Sequence, residues 1–225
     1  AMKNFFIIAL VSLVFIACNV EPVGPAGRVG VEKQITDANS TELAALREEF
    51  AKLESAGGDT LAAAQGNLAC VAYERLEQYE GLVQKYWDLV GFRTDEFGAT
   101  ISFRTKEIGR ETASIGYARI KAGKSVSCRR GRETDYIELF ARLMDKYGPK
   151  GEGEKFDSNV VRQAYLKAAK KEIQSLLVEY EKHPDNADVM GGLSNIIEEA
   201  TRNWHFTVRE LEVPDDVVKR LGLEV

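Results

Sequence analysis

The chain has 225 residues and a formal net charge of −5, with 44% hydrophobic and 29% charged residues. These proportions describe a globular chain long enough to bury a core, and exclude a collagenous, low-complexity or polytopic membrane protein. The acidic balance argues against nucleic acid as the main partner, because phosphate recognition needs a basic surface.

Met2 and Lys3 precede an apolar run from Phe5 to Ala17. The run is shorter than the roughly 20 residues of a bilayer-spanning helix and has the form of a secretory signal peptide. Its end, Phe15-Ile16-Ala17-Cys18, resembles the lipobox of bacterial lipoproteins, with Ala17 as the small residue before the Cys and Phe15 where Leu is usual. The resemblance covers residues 2–18 alone. It implies cleavage before Cys18, diacylation of the Cys18 sulfur and acylation of the new amine. Each buried CH₂ of such chains contributes about 0.8 kcal/mol to membrane anchoring. Asn19 is not the Asp that holds enterobacterial members of this class at the inner membrane, so an outer-membrane lipoprotein is expected.

The organisation that follows is a signal peptide over 1–17, a lipidated Cys and flexible tether over 18–38, and a single α-helical domain over 39–225. The stretch from Val23 to Gly30 has neither a helical nor a strand period. With Cys18 lipidated, Cys70 and Cys128 remain. An oxidising envelope permits their disulfide, and two free buried thiols are the alternative.

Asn39 or Ser40 is a candidate cap for a first helix whose stripe is Leu43, Leu46, Phe50 and Leu53. Ala56-Gly57-Gly58 stops it, and Asp59 can cap a second helix over about Thr60–Val90. That helix carries the near-heptad seam Leu68, Ala72, Leu76, Tyr79, Val83, Tyr86 and Val90. Residues 92–123 place Phe92, Phe103 and Tyr117 on one side of a helix and Phe97, Ile101, Ile108 and Ile115 nearly opposite. Gly98, Gly109, Gly116 and Gly123 form a third stripe. This pattern predicts a centrally buried helix approached closely by another backbone. A β-hairpin within 98–105 is the rival reading.

Thr134 is the candidate cap for a short helix bearing Tyr136, Leu139, Phe140, Leu143 and Tyr147. After the loop from Gly148 to Lys155, Asp157 or Ser158 caps a helix that Pro184 ends. A helix from Met190 to Thr201 follows, weakened by Gly191-Gly192. The alternation Trp204, Phe206, Val208 suggests a short strand, and Pro214 opens a small final helix. The expected fold is mainly α, a bundle of about six helices with room for one short strand or hairpin.

No zinc, haem-attachment, nucleophile-elbow or P-loop motif is complete; in the loop at Gly148–Lys155 the phosphate-contacting Lys is misplaced. No cofactor and no metal are expected. The pairs Asp95/Glu96 and Glu198/Glu199 read as solvated surface, because neighbours on a helix do not face each other. His205 reads as a surface or packed residue for want of a second group to orient it.

The strongest candidate site is electrostatic. Residues 119–132 hold six basic residues and no acid. Arg129, Arg130 and Arg132, with Lys121 and Lys124, can engage phosphate or carboxylate, and a disulfide at Cys128 would hold the loop. A solvated loop offset by Glu133 and Asp135 is the plainer alternative. The functional expectation is a non-catalytic envelope lipoprotein that binds or scaffolds an envelope protein or anionic headgroup, with self-association open. The alternatives are an envelope enzyme such as a cell-wall hydrolase, and a surface lipoprotein meeting host, phage or other cells.

Overall fold

The computed structural model describes residues 40–57, 67–91, 95–128, 131–148 and 156–223. The signal and tether segments, Cys18, the cap candidates Asn39 and Asp59, Thr60, Phe92, Arg129, Arg130 and most of the Gly148–Lys155 loop lie outside the described residues, and the expected helix over about Thr60–Val90 is corrected, because Asn67 is extended and caps a helix that starts at Leu68. The unit Leu43–Val225 carries the fold. The helices are α1 (40–57), α2 (Leu68–Val90), α3 (Glu96–Lys121), α4 (Glu133–Tyr147), α5 (Ser158–Lys182), α6 (Ala187–Trp204) and α7 (Asp215–Leu221), with no strand among the described residues. The protein is a mainly α helical bundle, and residues 98–105 are helical rather than a hairpin.

Side-chain caps define the helix starts. Asn67 accepts from Ala69 N, Asp95 from Gly98 N, Asp157 from Asn159 N, and Asn186 from Asp188 N and Val189 N. Each satisfies an orphan donor of the first turn, worth about 1 kcal/mol. Gly91 closes α2 at φ 65°, a conformation that costs a β-carbon-bearing residue energy.

Three pairs of successive helices run antiparallel, as the contacts show. Ala72 meets Thr112 while Tyr86 meets Gly98, which reverses α3 against α2. Gly116 meets Phe140 and Gly109 meets Tyr147, reversing α4 against α3. Tyr165 meets Trp204 and Leu176 meets Gly192, reversing α6 against α5.

The main core is built from α2 to α7 around Leu76, Tyr79, Ile108, Phe140, Tyr165, Ile173, Leu193 and Ile197. A smaller cluster of Leu46, Leu82, Tyr86 and Ile101 joins the apolar stripe of α1 to the ends of α2 and α3. Among the described residues, no helix is long and apolar enough to cross a membrane.

The glycine stripe of α3 is real, but its occupants are aromatic rings rather than a backbone. A Cβ on Gly98 would overlap the ring of Tyr86, one on Gly109 would lie 2.7 Å from the ring of Tyr147, and one on Gly116 would overlap Phe140. Gly123 lies beyond the helix in a turn at φ 65°. Phe103 is 62% exposed, so α3 is not buried on both predicted apolar sides.

Two further local expectations are corrected. Arg132 occupies the N-cap position of α4, and Thr134 sits one residue inside the helix, fully buried, donating to Glu172 from its N–H (3.3 Å) and its hydroxyl (3.2 Å). Helix α5 ends at Lys182 with His183 as its C-cap, directly before Pro184, as the sequence predicts. The alternation Trp204, Phe206, Val208 is not a strand. Helix α6 runs to Trp204, His205 takes the left-handed conformation at φ 55°, and the chain turns so that Trp204 and Phe206 both stack on Tyr165.

Candidate functional site

The loop between α3 and α4 is held from three helices. Cys70, in the first turn of α2, is disulfide-bonded to Cys128, with Cα atoms 5.5 Å apart and 58 residues of separation. Asn67 donates its side-chain amide to the carbonyls of Ser125 (3.3 Å) and Ser127 (3.0 Å) while its oxygen caps α2. Arg119 donates twice to the carbonyl of Ser125 (3.0 and 2.8 Å). The Glu133 carboxylate accepts from Val126 N (2.8 Å), Ser127 N (3.2 Å) and Ser125 Oγ (2.5 Å). Val126 is fully buried. Glu133 therefore ties down the loop backbone while keeping its negative charge beside the loop's cations.

The predicted cations fare differently. Lys121 is the last residue of α3 and Lys124 follows the turn, both exposed. Arg132 bonds Asp135 (2.5 Å) and Glu199 (2.7 Å), tying α4 to α6. Its guanidinium is engaged within the fold, so Arg132 leaves the proposed anion-binding set.

A second cluster, which the sequence reading missed, surrounds that arginine. Asp135 and Glu138 come from α4, Tyr165 and Glu172 from α5, and Glu199 from α6. Burial pushes the Glu138 carboxyl up, and hydrogen-bonding contact with Glu199 adds to the rise, while Arg142 opposes it. Burial likewise pushes Glu172 up, against the hydrogen bonds from Thr134. The Tyr165 side chain is fully buried, and its hydroxyl has no hydrogen-bond partner among the described residues. Glu199, Glu138, Arg132 and Glu172 all act on that hydroxyl electrostatically. Trp204 stacks on the Tyr165 ring at 4.4 Å, with its own indole N–H buried and unpaired among the described residues. The signal for this cluster was present in the sequence: Glu172 follows Tyr165 by seven residues and so shares its helix face.

The other acids and histidines are structural or solvated. Asp95 caps α3 and accepts from the Tyr86 hydroxyl (2.6 Å), and Glu198 bonds Ser194 and Arg202 on the surface of α6. Only half of the Glu198/Glu199 pair is therefore solvated surface, since Glu199 turns inward to Arg132. His205 is exposed at the end of α6. A hollow at the α5–α6 turn, lined by Lys182, His183, Pro184, Asp185 and Asn186, opens to solvent. Among the described residues, no group of three His, Cys, Asp or Glu side chains is arranged to hold a metal ion. No family model matches the chain, and no curated protein or solved structure matches it.

Proposed function

We propose that this protein is a membrane-anchored bacterial envelope lipoprotein, lipidated at Cys18, whose helical domain binds or scaffolds another envelope component without catalysis. The observation that carries this reading is the disulfide-held loop. A basic segment fixed by Cys70–Cys128, Asn67, Arg119 and Glu133 is pre-organised, which lowers the entropy lost when it meets a partner. The disulfide also suits an oxidising compartment outside the cytoplasm. The residues assigned to the anion are Lys121, Lys124, Arg129 and Arg130, and the anion is an acidic protein surface or a lipid headgroup.

The test is capture of partners from gently solubilised membranes, comparing the wild type with the K124A/R129A/R130A variant. Loss of a specific partner in the variant supports the reading, and equal capture by both sinks the loop as the binding surface. Membrane fractionation of a Cys18→Ser variant tests the anchor, since release into the soluble fraction is expected. A second reading, an envelope hydrolase, draws on Glu138 and Glu172, whose surroundings favour the protonated carboxyl of a general acid. Incubation with purified cell wall decides it, and absence of released fragments removes it.

A further inference from the structure

The Cys70–Cys128 bridge is one of several links that hold the loop between α3 and α4, and the others do not depend on it. Val126 is fully buried in the main core. Asn67 donates to the carbonyls of Ser125 and Ser127, Arg119 donates to that of Ser125, and Glu133 accepts from the amides of Val126 and Ser127. The Thr112 hydroxyl bonds the Ala72 carbonyl and fixes α3 against α2 close to Cys70. These links place residues 119–127 whether or not the two sulfurs are joined. Beyond Ser127 the turn is held by the disulfide, by the Ser127 hydroxyl on the Gly131 carbonyl (2.9 Å) and by the Tyr136 ring beside Gly131. Both cysteines are half-buried, outside the fully buried core. The Cys70 sulfur lies 3.5 Å from the Ser127 carbonyl oxygen, and the Cys128 sulfur 3.6 Å from that of Val126. A thiol at either position would therefore find an acceptor for its S–H already in place.

We propose that Cys70–Cys128 is a site of thiol–disulfide exchange with a dithiol, and that its redox state sets how the turn after Cys128 is held in an otherwise unchanged fold. A thiolate of the dithiol attacks one sulfur of the bridge, and the other leaves as a thiolate that takes a proton from solvent. The second thiolate of the dithiol then attacks the mixed disulfide and frees the second cysteine, which is protonated in turn. The bond between Cys70 and Cys128 is broken, one S–S bond forms in the dithiol, and two electrons pass to the protein. The two new thiols donate to the Ser127 and Val126 carbonyls. A disulfide whose surroundings also suit the separate thiols is the more readily reduced, because stabilising the reduced form raises the tendency to accept electrons. Arg129 and Arg130 are the next two residues of the chain, so exchange regulates the basic loop. That consequence rests on the binding role proposed above; the exchange itself does not.

The experiment treats the folded full chain with dithiothreitol, quenches with acid and alkylates, and counts the freed thiols by mass. Reduction in native buffer is expected within about tenfold of the rate in denaturant, with the helical circular dichroism retained and the bridge restored by oxidised glutathione. A bridge that opens only when the whole fold opens would react at least about a thousandfold more slowly than in denaturant, and that result overturns the proposal. Loss of the helical signal in step with reduction overturns it too. Hydrogen exchange locates the change. The amides of Val126 and Ser127, which donate to Glu133, are expected to keep their protection after reduction. The Gly131 amide, which donates to the Cys128 carbonyl (3.4 Å), is expected to lose protection by about tenfold or more. Loss at all three amides, or at none, refutes a release confined to the turn after Cys128. None of these readouts needs a partner, so failure to capture one from membranes would sink the binding role and leave the exchange to be judged on the thiols.

Discussion

Substitution of Gly116 by Ala separates helix propensity from packing. Gly116 lies inside α3, where alanine is favoured over glycine by about 1 kcal/mol. On propensity alone, G116A stabilises. The structure reverses the sign, because the new Cβ would overlap the Phe140 ring. That ring cannot swing away: Phe140 is fully buried and its ring lies 6.5 Å from that of Tyr73, edge to face. Overpacking costs about 1–3 kcal/mol, and because the Cβ would overlap the ring outright the upper end applies, leaving a net loss of about 2 kcal/mol. Gly191 in α6 is the matched control, exposed and with nothing within 4 Å of its added Cβ. G191A is expected to gain about 0.5–1 kcal/mol. Thermal and denaturant unfolding with the disulfide intact reads both. For a domain of this size, G116A lowers the midpoint by about 4–8 °C and G191A raises it by about 2 °C. A G116A protein as stable as the wild type would refute the ring-over-glycine account of the α3–α4 contact.

Removing the disulfide as C70S/C128S is expected to cost up to about 4 kcal/mol, from the chain entropy of a loop of this length. Limited proteolysis should then cut between residues 124 and 132 faster, and an unchanged cleavage rate would count against the loop's anchorage. Thr112→Val removes the buried hydroxyl that donates to the carbonyl of Ala72 (3.0 Å) and should cost about 1 kcal/mol in denaturant unfolding. Glu172 supplies a pH test. Its folded carboxyl is raised by burial, so its contribution is fully present below the ordinary carboxylate range and is lost as pH climbs through the raised value. Glu172→Gln keeps an acceptor for Thr134 and should flatten that decline; equal slopes in the two proteins would contradict it. Glu80 works in the opposite sense. Burial raises its carboxyl, but the hydrogen bonds from Lys146 (2.7 Å) and Tyr147 (2.6 Å) outweigh burial and hold it down. Its stabilisation should be present above the ordinary carboxylate range and disappear as pH falls through the lowered value, a loss that Glu80→Gln abolishes.

Helices were legible wherever one apolar stripe met a capping residue. Asp157 is an Asx cap before a clear period, and α5 begins there as expected. Thr134 looked equally suited, yet its hydroxyl is spent on Glu172 inside the fold. Local sequence cannot show that competition. Asn67 was missed for the opposite reason, since its cap is one half of a link whose other half lies 58 and 60 residues away.

The candidate site divides in the same way. The basic stretch and the cysteine pairing were visible because charge and cysteine count are properties of the chain. That Arg132 belongs to an internal network was not visible, because Glu199 arrives from α6, 67 residues later.

Composition, period and caps by themselves determined a mainly helical chain and most helix positions, because a helix is closed by hydrogen bonds between residues four apart. The tertiary structure alone decided that aromatic rings fill the α3 glycine stripe. It alone decided that Trp204 and Phe206 converge on Tyr165 from a helix and a turn, and that carboxyls from three helices meet in one place. Those outcomes depend on which distant surfaces share a volume, and close packing and desolvation act only once the helices are assembled.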